Sequence, residues 1–369
     1  MKPSATGAIS SKAQEMRGRG IRVYNFAAGD PVLQNHPLLI EAAQTALRDG
    51  YCPYAPIAGL IDLRLAAAHW MNRRYKSSFI LDEAVVTAGG KFGIYAALQI
   101  LLKEGDEAII PSPYWVSYPE MVRMASGTAV FVQTRWKLTP EQLREAITDK
   151  TRVLILNNGC NPTGVLYSRS EIAALLKIAI RADLTVISDE VYSELVYDGA
   201  EYVSCASFPE YRSNLLIIES CSKNFAMAGW RVGFAFGPQK LISELIALQS
   251  QSTTGASFFS QKIALAALKH SDEIGAYVRS AMDRRRKLFF ETYNRLMKPS
   301  VELPQAAVYY FIKVDRCEEI LEKAHVALVP GEAFGVDGYG RLDFTETEEE
   351  IVQGLEALSN QKNGGLFPD

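Results

Sequence analysis

Lys223 follows an apolar segment, lies among small and polar residues, and is followed eight positions later by Arg231. An amine becomes a nucleophile when burial and a neighbouring cation lower its pKa. Ser220 and Ser222 precede the lysine closely and could donate hydroxyl hydrogen bonds to a phosphate. The segment therefore indicates a reactive amine beside an anion site, although a solvated lysine and a structural arginine would give the same pattern.

A second candidate for anion binding is the pair Gly89 and Gly90, which precedes Lys91 and follows a β-branched run. Bare backbone N–H groups at a helix N-terminus bind anions. The spacing is not that of a Walker loop. The alternative is a glycine-rich turn that binds nothing.

Two further polar groups follow predicted strands. Asn161 begins the string NPTG, which is also an ordinary β-turn sequence. Asp189 ends an apolar run, with Tyr192 three residues later. A carboxylate at this position is often only a helix cap. A buried aspartate, however, is the partner that keeps a pyridinium nitrogen protonated.

The elements that must position these residues alternate between short β-branched runs and amphipathic stretches from 83 to 236. Strands are predicted at 84–86, 108–111, 129–132, 153–156, 185–188, 215–218 and 232–236. Helices are predicted at 91–103, 118–125 and 170–182. This alternation predicts a mostly parallel sheet covered by helices on both faces. Ligands of such sheets bind at the carboxyl ends of the strands, where the candidate residues lie.

After 239 the pattern changes. Helices are predicted at 240–251, 261–269, 272–297 and 348–358, with strands at 309–314 and 341–344. We therefore expect a large α/β domain over 30–275 and a small α+β domain formed by 1–29 together with 276–369.

Composition narrows the class of protein. A chain of 369 residues is long enough for two packed units, and a net charge of −3 argues against a surface for polyanions. The apolar runs are too short for a membrane helix, and the first residues lack a signal-peptide core. The five cysteines are scattered, which favours a reducing, cytoplasmic location. None of the four histidines has metal-ligand spacing, so no metal is expected.

Together these strings resemble the class I aminotransferases of pyridoxal 5′-phosphate fold type I, and in particular the bacterial-type aspartate aminotransferases, a subgroup that includes prephenate aminotransferases. The resemblance extends from about Lys2 to Leu358. The strings that match are PSAT, AAGDP, YAPIAGL, TAGGK, PSPYWVSYPEMV, NPTG, SDEVY, SKNFAMAGWRVG, QSQSTT, VPGEAFG and GYGRLDF. It implies a mostly parallel seven-stranded sheet in the large domain, a smaller α+β domain, pyridoxal 5′-phosphate as cofactor, and a homodimer with shared active sites.

The resemblance also implies residue roles for the cofactor. Lys223 would hold it covalently and then move the proton between the substrate Cα and the cofactor. Asp189 would pair with the pyridine N–H, Asn161 and Tyr192 would bind the phenolic oxygen, and Trp115 would stack on the ring. The residues that would surround the phosphate are Gly89, Gly90, Lys91, Ser220, Ser222 and Arg231, joined by Tyr54 from the partner subunit.

For the substrate, Arg341 would bind the α-carboxylate by two parallel hydrogen bonds, with Gly29, Trp115 and Asn161 nearby. Lys91 and Thr6 would bind a distal carboxylate. The expected reaction is therefore transamination of aspartate with 2-oxoglutarate. Val308 stands where relatives have an aromatic residue, and we expect it to widen the substrate pocket.

Three alternatives remain open at this stage. The enzyme could prefer prephenate or aromatic substrates, since prephenate also has two carboxylates. It could be a fold-type I lyase, because lyases retain the same lysine, aspartate and arginine. It could also be a non-enzymatic sensor, although such regulators have a DNA-binding unit before the aminotransferase pattern, which here begins at residue 2 or 3.

Overall fold

The computed structural model describes residues 4–298, 300–314 and 316–361. Its α-helices are α1 (Ala5–Gly18), α2 (Pro37–Arg48), α3 (Ile61–Tyr75), α4 (Gly90–Leu101), α5 (Tyr118–Met124), α6 (Pro140–Ala146), α7 (Arg169–Arg181), α8 (Cys221–Asn224), α9 (Gln239–Ser250), α10 (Phe258–Lys269), α11 (Ser271–Leu296), α12 (Cys317–Ala324) and α13 (Glu348–Ser359). Short 3₁₀ helices span Leu81–Glu83, Cys205–Ser207, Pro209–Asn214, Ala228–Trp230 and Gly331–Phe334.

The strands are β1 (Tyr24–Asn25), β2 (Ala84–Thr87), β3 (Glu107–Ser112), β4 (Thr128–Gln133), β5 (Thr151–Asn157), β6 (Thr185–Asp189), β7 (Leu215–Ser220), β8 (Gly233–Phe236), β9 (Tyr309–Lys313), β10 (Val326–Ala327), β11 (Val329–Pro330) and β12 (Tyr339–Asp343). The seven strands predicted between 84 and 236 are all present. They form one sheet in the order β2-β8-β7-β6-β5-β3-β4. β8 runs opposite to the other six strands of this sheet, which share one direction. The predicted mostly parallel α/β fold is therefore confirmed.

The central strands are buried over most of their length because helices cover both faces of the sheet. In β7, for example, all six residues are buried. Local signals set the helix boundaries: Ser168 and Glu171 form a capping box at the start of α7, and Thr139 caps α6 in the same way. Because β5, β6 and β7 run parallel to one another, the loops that follow them leave the sheet at the same edge.

A second, antiparallel sheet has the order β11-β12-β9, and β1 pairs with β10. The N-terminal segment thus packs beside the C-terminal strands, as a small domain built from both chain ends requires. The proposed division at 29/30 and 275/276 itself stays a prediction, and α11 continues across the second boundary. Residues 1–3, 299, 315 and 362–369 of that division lie outside the described residues.

In the part of the chain that the structure describes, no helix combines the length and apolar character needed to span a membrane.

Candidate active site

A cavity of 390 Å³ lies at the carboxyl ends of the central strands, beside the small sheet. Thirteen of the residues singled out from the sequence line it: Thr6, Gly29, Gly90, Lys91, Trp115, Asn161, Asp189, Tyr192, Ser220, Ser222, Lys223, Arg231 and Arg341. Gly89 adjoins it through contact with Arg231. Residues more than 300 positions apart in the chain therefore meet in one space.

Asp189, the last residue of β6, is buried at the base of this cavity. The hydroxyl of Tyr118 donates to its Oδ2 at 2.5 Å, and the backbone N–H of Val191 donates to Oδ1 at 3.5 Å. Among the described residues, no cation pairs with this carboxylate. Burial raises the pKa of Asp189 to about 6, and these two hydrogen bonds oppose the rise. The site is therefore poised to receive a buried positive charge.

Lys223 lies in α8, the short helix that follows β7. Its Nζ donates to the carbonyl oxygen of Gly29 at 2.5 Å and lies 3.7 Å from a carboxylate oxygen of Asp30. Burial lowers the pKa of Lys223, while Asp30 acts in the opposite direction. The amine is thus partly desolvated, which is the condition for nucleophilic behaviour.

The glycine pair and the segment around Lys223 form a single anion site. Gly89 has φ +89°, and a Cβ at this position would lie 2.5 Å from Nη2 of Arg231. Gly90 is the first residue of α4, so its backbone N–H is free of the helix ladder. Ser220 Oγ donates to Ser222 Oγ at 2.9 Å. Backbone amides, hydroxyls and a guanidinium therefore converge.

Arg341 in β12 is buried and also lines the cavity. Its Nη1 donates to Asn161 Oδ1 at 3.0 Å, and its Nη2 donates to the carbonyl of Ala27 at 2.6 Å. Its Nε has no hydrogen-bond partner among the described residues. No carboxylate of the described residues forms an ion pair with the guanidinium, whose planar donors match the geometry of a carboxylate.

Lys91 and Thr6 also face the cavity. The Lys91 ammonium lies 4.9 Å from the centroid of the Trp115 ring. Loss of surrounding water lowers the pKa of Lys91, and the positive charge of Arg231 lowers it further. The Thr6 hydroxyl is buried without a partner in the described structure. A cation and a hydroxyl are therefore available to a second anionic group.

Val308 and Tyr54 do not line the cavity of this chain. Val308 does not widen the cavity: it is fully buried in the core beneath the small sheet, and Tyr309 lines the cavity instead. The expectation is wrong because Val308 lies in the turn before β9, where it packs into the core instead of facing the cavity. Tyr54 is 90% exposed and lies outside the cavity of its own chain.

Three functional side chains escaped the sequence analysis. Tyr118 holds Asp189, Tyr309 donates to or accepts from Tyr192 at 2.7 Å, and Asp343 accepts from the backbone N–H of Gly29 at 2.6 Å. Tyr118 could have been identified from the sequence, since it belongs to the string PSPYWVSYPEMV. The other two depend on the pairing of β9 with β12, which no local pattern specifies.

Comparison with known proteins agrees with this geometry. Residues 21–358 match the family model for aminotransferase class I and II. The chain is 38% identical to the aspartate/prephenate aminotransferase of Thermus thermophilus, covering 97% of this chain and 96% of the relative. It is 35% identical to the aspartate aminotransferase of Geobacillus stearothermophilus, covering 96% and 95%. The solved structure of the Thermus thermophilus aspartate aminotransferase with maleate has a TM-score of 0.92, at 37% identity, covering 98% of this chain and 97% of the other. The chain therefore belongs to the class I and II aminotransferases, and the reaction it catalyses is a transamination.

Proposed function

We propose that this aminotransferase transfers the amino group of aspartate to 2-oxoglutarate, with pyridoxal 5′-phosphate bound at Lys223. The observation that supports the proposal most strongly is that a buried carboxylate and a buried amine line the same cavity. Asp189 is a buried carboxylate without a cationic partner in the described structure, and Lys223 is a buried amine with a lowered pKa. A pyridine ring that has an aldehyde group suits both, because its protonated nitrogen can pair with the carboxylate and its aldehyde can react with the amine.

The residues present fit that cofactor on three independent grounds. The Asp189 carboxylate suits a protonated ring nitrogen, since a buried charge needs a partner of opposite sign. Gly89 has no side chain where a Cβ would collide with Arg231, so the backbone can approach a phosphate closely. Trp115 lines the same cavity and offers an aromatic face to a ring.

When bound, pyridoxal 5′-phosphate supplies a ring that takes up the electron pair released as the substrate Cα–H bond breaks. The residues of the chain would provide the remaining functions. Asp189 would hold the proton on the ring nitrogen, and Tyr192 and Asn161 would donate hydrogen bonds to the phenolic oxygen. Lys223, freed from its bond, would carry the proton from the substrate Cα to the cofactor, because it is the basic amine that lines the cavity beside Gly29. Arg341 would orient the α-carboxylate so that the Cα–H bond stays in reach.

Dicarboxylic substrates are favoured by a second cationic group. Arg341 can bind one carboxylate, and Lys91 together with the unpartnered Thr6 hydroxyl can bind another. Relatives named for aspartate agree with this choice. Prephenate, named for one of these relatives, is the second candidate acceptor because it also has two carboxylates.

We further propose a cytoplasmic homodimer in which Tyr54 contacts the cofactor phosphate of the partner subunit. A tyrosine that is 90% exposed in its own chain and lies between the exposed apolar residues Tyr51 and Ile61 is consistent with burial against a second copy.

The test is a panel of amino donors assayed with 2-oxoglutarate, oxaloacetate and prephenate. We expect aspartate and glutamate to have the highest kcat/KM. Lys223→Ala should abolish both borohydride-reducible cofactor attachment and nearly all turnover, whereas Lys240→Ala, on the exposed first turn of α9, should change neither. Turnover by Lys223→Ala would contradict the proposal. Elimination from the donor without amino transfer would favour a lyase, and cofactor binding with no reaction would favour a sensor.

A further inference from the structure

Tyr309 is a buried side chain of the cavity to which the aminotransferase resemblance gave no role. Its hydroxyl lies 2.7 Å from that of Tyr192 and 3.5 Å from Nδ2 of Asn161. The guanidinium of Arg341 lies 4.4 Å from the centroid of its ring. Tyr309 therefore contacts both the group expected to bind the substrate carboxylate and the two groups expected to bind the phenolic oxygen.

The direction of the hydrogen bonds follows from the donors available. Arginine has only donors, so Arg341 Nη1 must donate to Asn161, whose Oδ1 accepts at 3.0 Å. The amide nitrogen of Asn161 is thereby turned towards Tyr309 and donates to its hydroxyl oxygen. The hydroxyl oxygens of Tyr309 and Tyr192 lie 2.7 Å apart, and either hydroxyl can be the donor of the hydrogen bond between them.

The proposed role of Tyr192 selects between the two directions of this bond. Each phenol has one hydrogen, so a Tyr192 hydroxyl that donates to the phenolic oxygen of the cofactor must accept from Tyr309. Tyr309 accepts from Asn161 on its other side, which leaves its own hydrogen for the bond to Tyr192.

The backbone fixes the tyrosine ring in this place. A Cβ on Gly29 would lie 2.6 Å from the Tyr309 hydroxyl oxygen, so the chain passes directly against it. The ring of Tyr192 meets that of Tyr309 edge to face, at 82° with centroids 5.8 Å apart. With these contacts the hydroxyl has little freedom to turn away from Tyr192.

We propose that Tyr309 is a positioning residue, which holds the Tyr192 hydroxyl as a donor towards the phenolic oxygen of the cofactor and links that donor to Arg341. The inference rests on the proposed function. It predicts that the Tyr309 hydroxyl and ring have separable effects: the hydroxyl acts on the cofactor through Tyr192, and the ring supports the guanidinium that binds a carboxylate.

Tyr309→Phe keeps the ring and removes the hydroxyl, whereas Tyr309→Leu removes both. In the holoenzyme, the pH midpoint of the cofactor's visible absorption should rise by about 0.5–1 unit in Tyr309→Phe, since a weaker donor stabilises the ionised phenolic oxygen less. The Kd of maleate, a dicarboxylate that cannot react, should change by less than about twofold. Tyr309→Leu should show the same shift and bind maleate roughly fivefold more weakly.

Tyr310→Phe is the matched control. Its hydroxyl is also buried and donates to the carbonyl of Arg286 at 2.8 Å, but it points away from the cavity. It should lower thermal stability without moving the absorption midpoint. An unchanged midpoint in Tyr309→Phe, or a shift in Tyr310→Phe equal to that in Tyr309→Phe, overturns the inference. If the wild-type chain takes up no cofactor at Lys223, the proposed function fails first, and the two failures are thereby distinguished.

Discussion

Replacing Asp189 with asparagine should stabilise the cofactor-free protein while it disables the enzyme. The carboxylate is 4% exposed, and its two hydrogen-bond partners, Tyr118 and Val191, are both uncharged at this contact. Burial raises its pKa from 3.8 to about 6. Asparagine can accept the same hydrogen bond from Tyr118 and has no charge to bury.

The size and sign of the effect follow from linkage. A carboxyl whose pKa is raised on folding contributes stability that is fully present below its unfolded pKa and is lost as the pH rises through its folded value. A shift of roughly two units corresponds to about 3 kcal/mol, of which about two thirds is lost between about pH 4.5 and pH 7.5. The variant lacks this dependence. Its advantage over the wild type in unfolding free energy should therefore grow by about 2 kcal/mol across that interval.

Urea unfolding of both cofactor-free proteins at the two pH values measures this difference. The wild type is the necessary reference because other buried carboxyls titrate as well: burial raises the pKa of Glu190 to about 7 in the same range. Most of that contribution is common to both proteins and cancels. With pyridoxal 5′-phosphate bound, the wild type should become the more stable of the two proteins, since a ring cation then pairs with Asp189 only in the wild type. The kcat of the variant should fall at least a hundredfold. A difference that does not change with pH, or an unimpaired kcat, would refute the reasoning.

Two further predictions concern the anionic groups. Lys91→Ala should raise KM for aspartate at least about tenfold and that for alanine less than about twofold, because only aspartate loses a hydrogen bond to a charged group. Lys240→Ala is the control. Equal losses for both donors would mean that Lys91 binds the phosphate. Gly89→Ala should weaken cofactor binding at least about tenfold, because its Cβ meets Arg231 and its φ is positive. Gly105→Ala has nearly the same φ, +91°, with open space around the Cβ. It should cost about 1 kcal/mol of stability and leave cofactor affinity unchanged, and a similar loss of affinity in both would contradict the steric explanation.

The strands and the motifs after them were predictable because they are local. A buried parallel strand is a short apolar run rich in β-branched residues, and the mostly buried β5, β6 and β7 each contain such a run. Strand order was not predictable from such runs. β8 lies between β2 and β7, antiparallel to both, although about 145 residues separate it from β2. Only tertiary packing decides that pairing.

The helices between 37 and 75 were not predicted, and α3 shows why. Its buried face includes Arg64, whose guanidinium donates to the carbonyls of Ala84 and Leu81. A charged residue on the buried face interrupts the apolar stripe by which an amphipathic helix is identified. The same limit affected the site: Tyr118 and Asp189 are 71 residues apart, and nothing in either local sequence indicates their hydrogen bond.

The place of each charge in the cavity, and not the sum of the charges, favours dicarboxylic substrates. Among the described residues that line it, Lys91, Lys223, Arg231 and Arg341 can be cationic, and Asp189 is the one carboxylate. A ring cation would neutralise Asp189, and Lys223 is uncharged when its nitrogen is bound. A phosphate bears a charge of about −1.5 to −2, which offsets Arg231 and half or more of a second cation. With one carboxylate at Arg341 the sum is then close to zero, so net charge alone does not reject a monocarboxylic amino acid. Selectivity for a second carboxylate therefore depends on direct contact with Lys91, and it should weaken as added salt screens that charge.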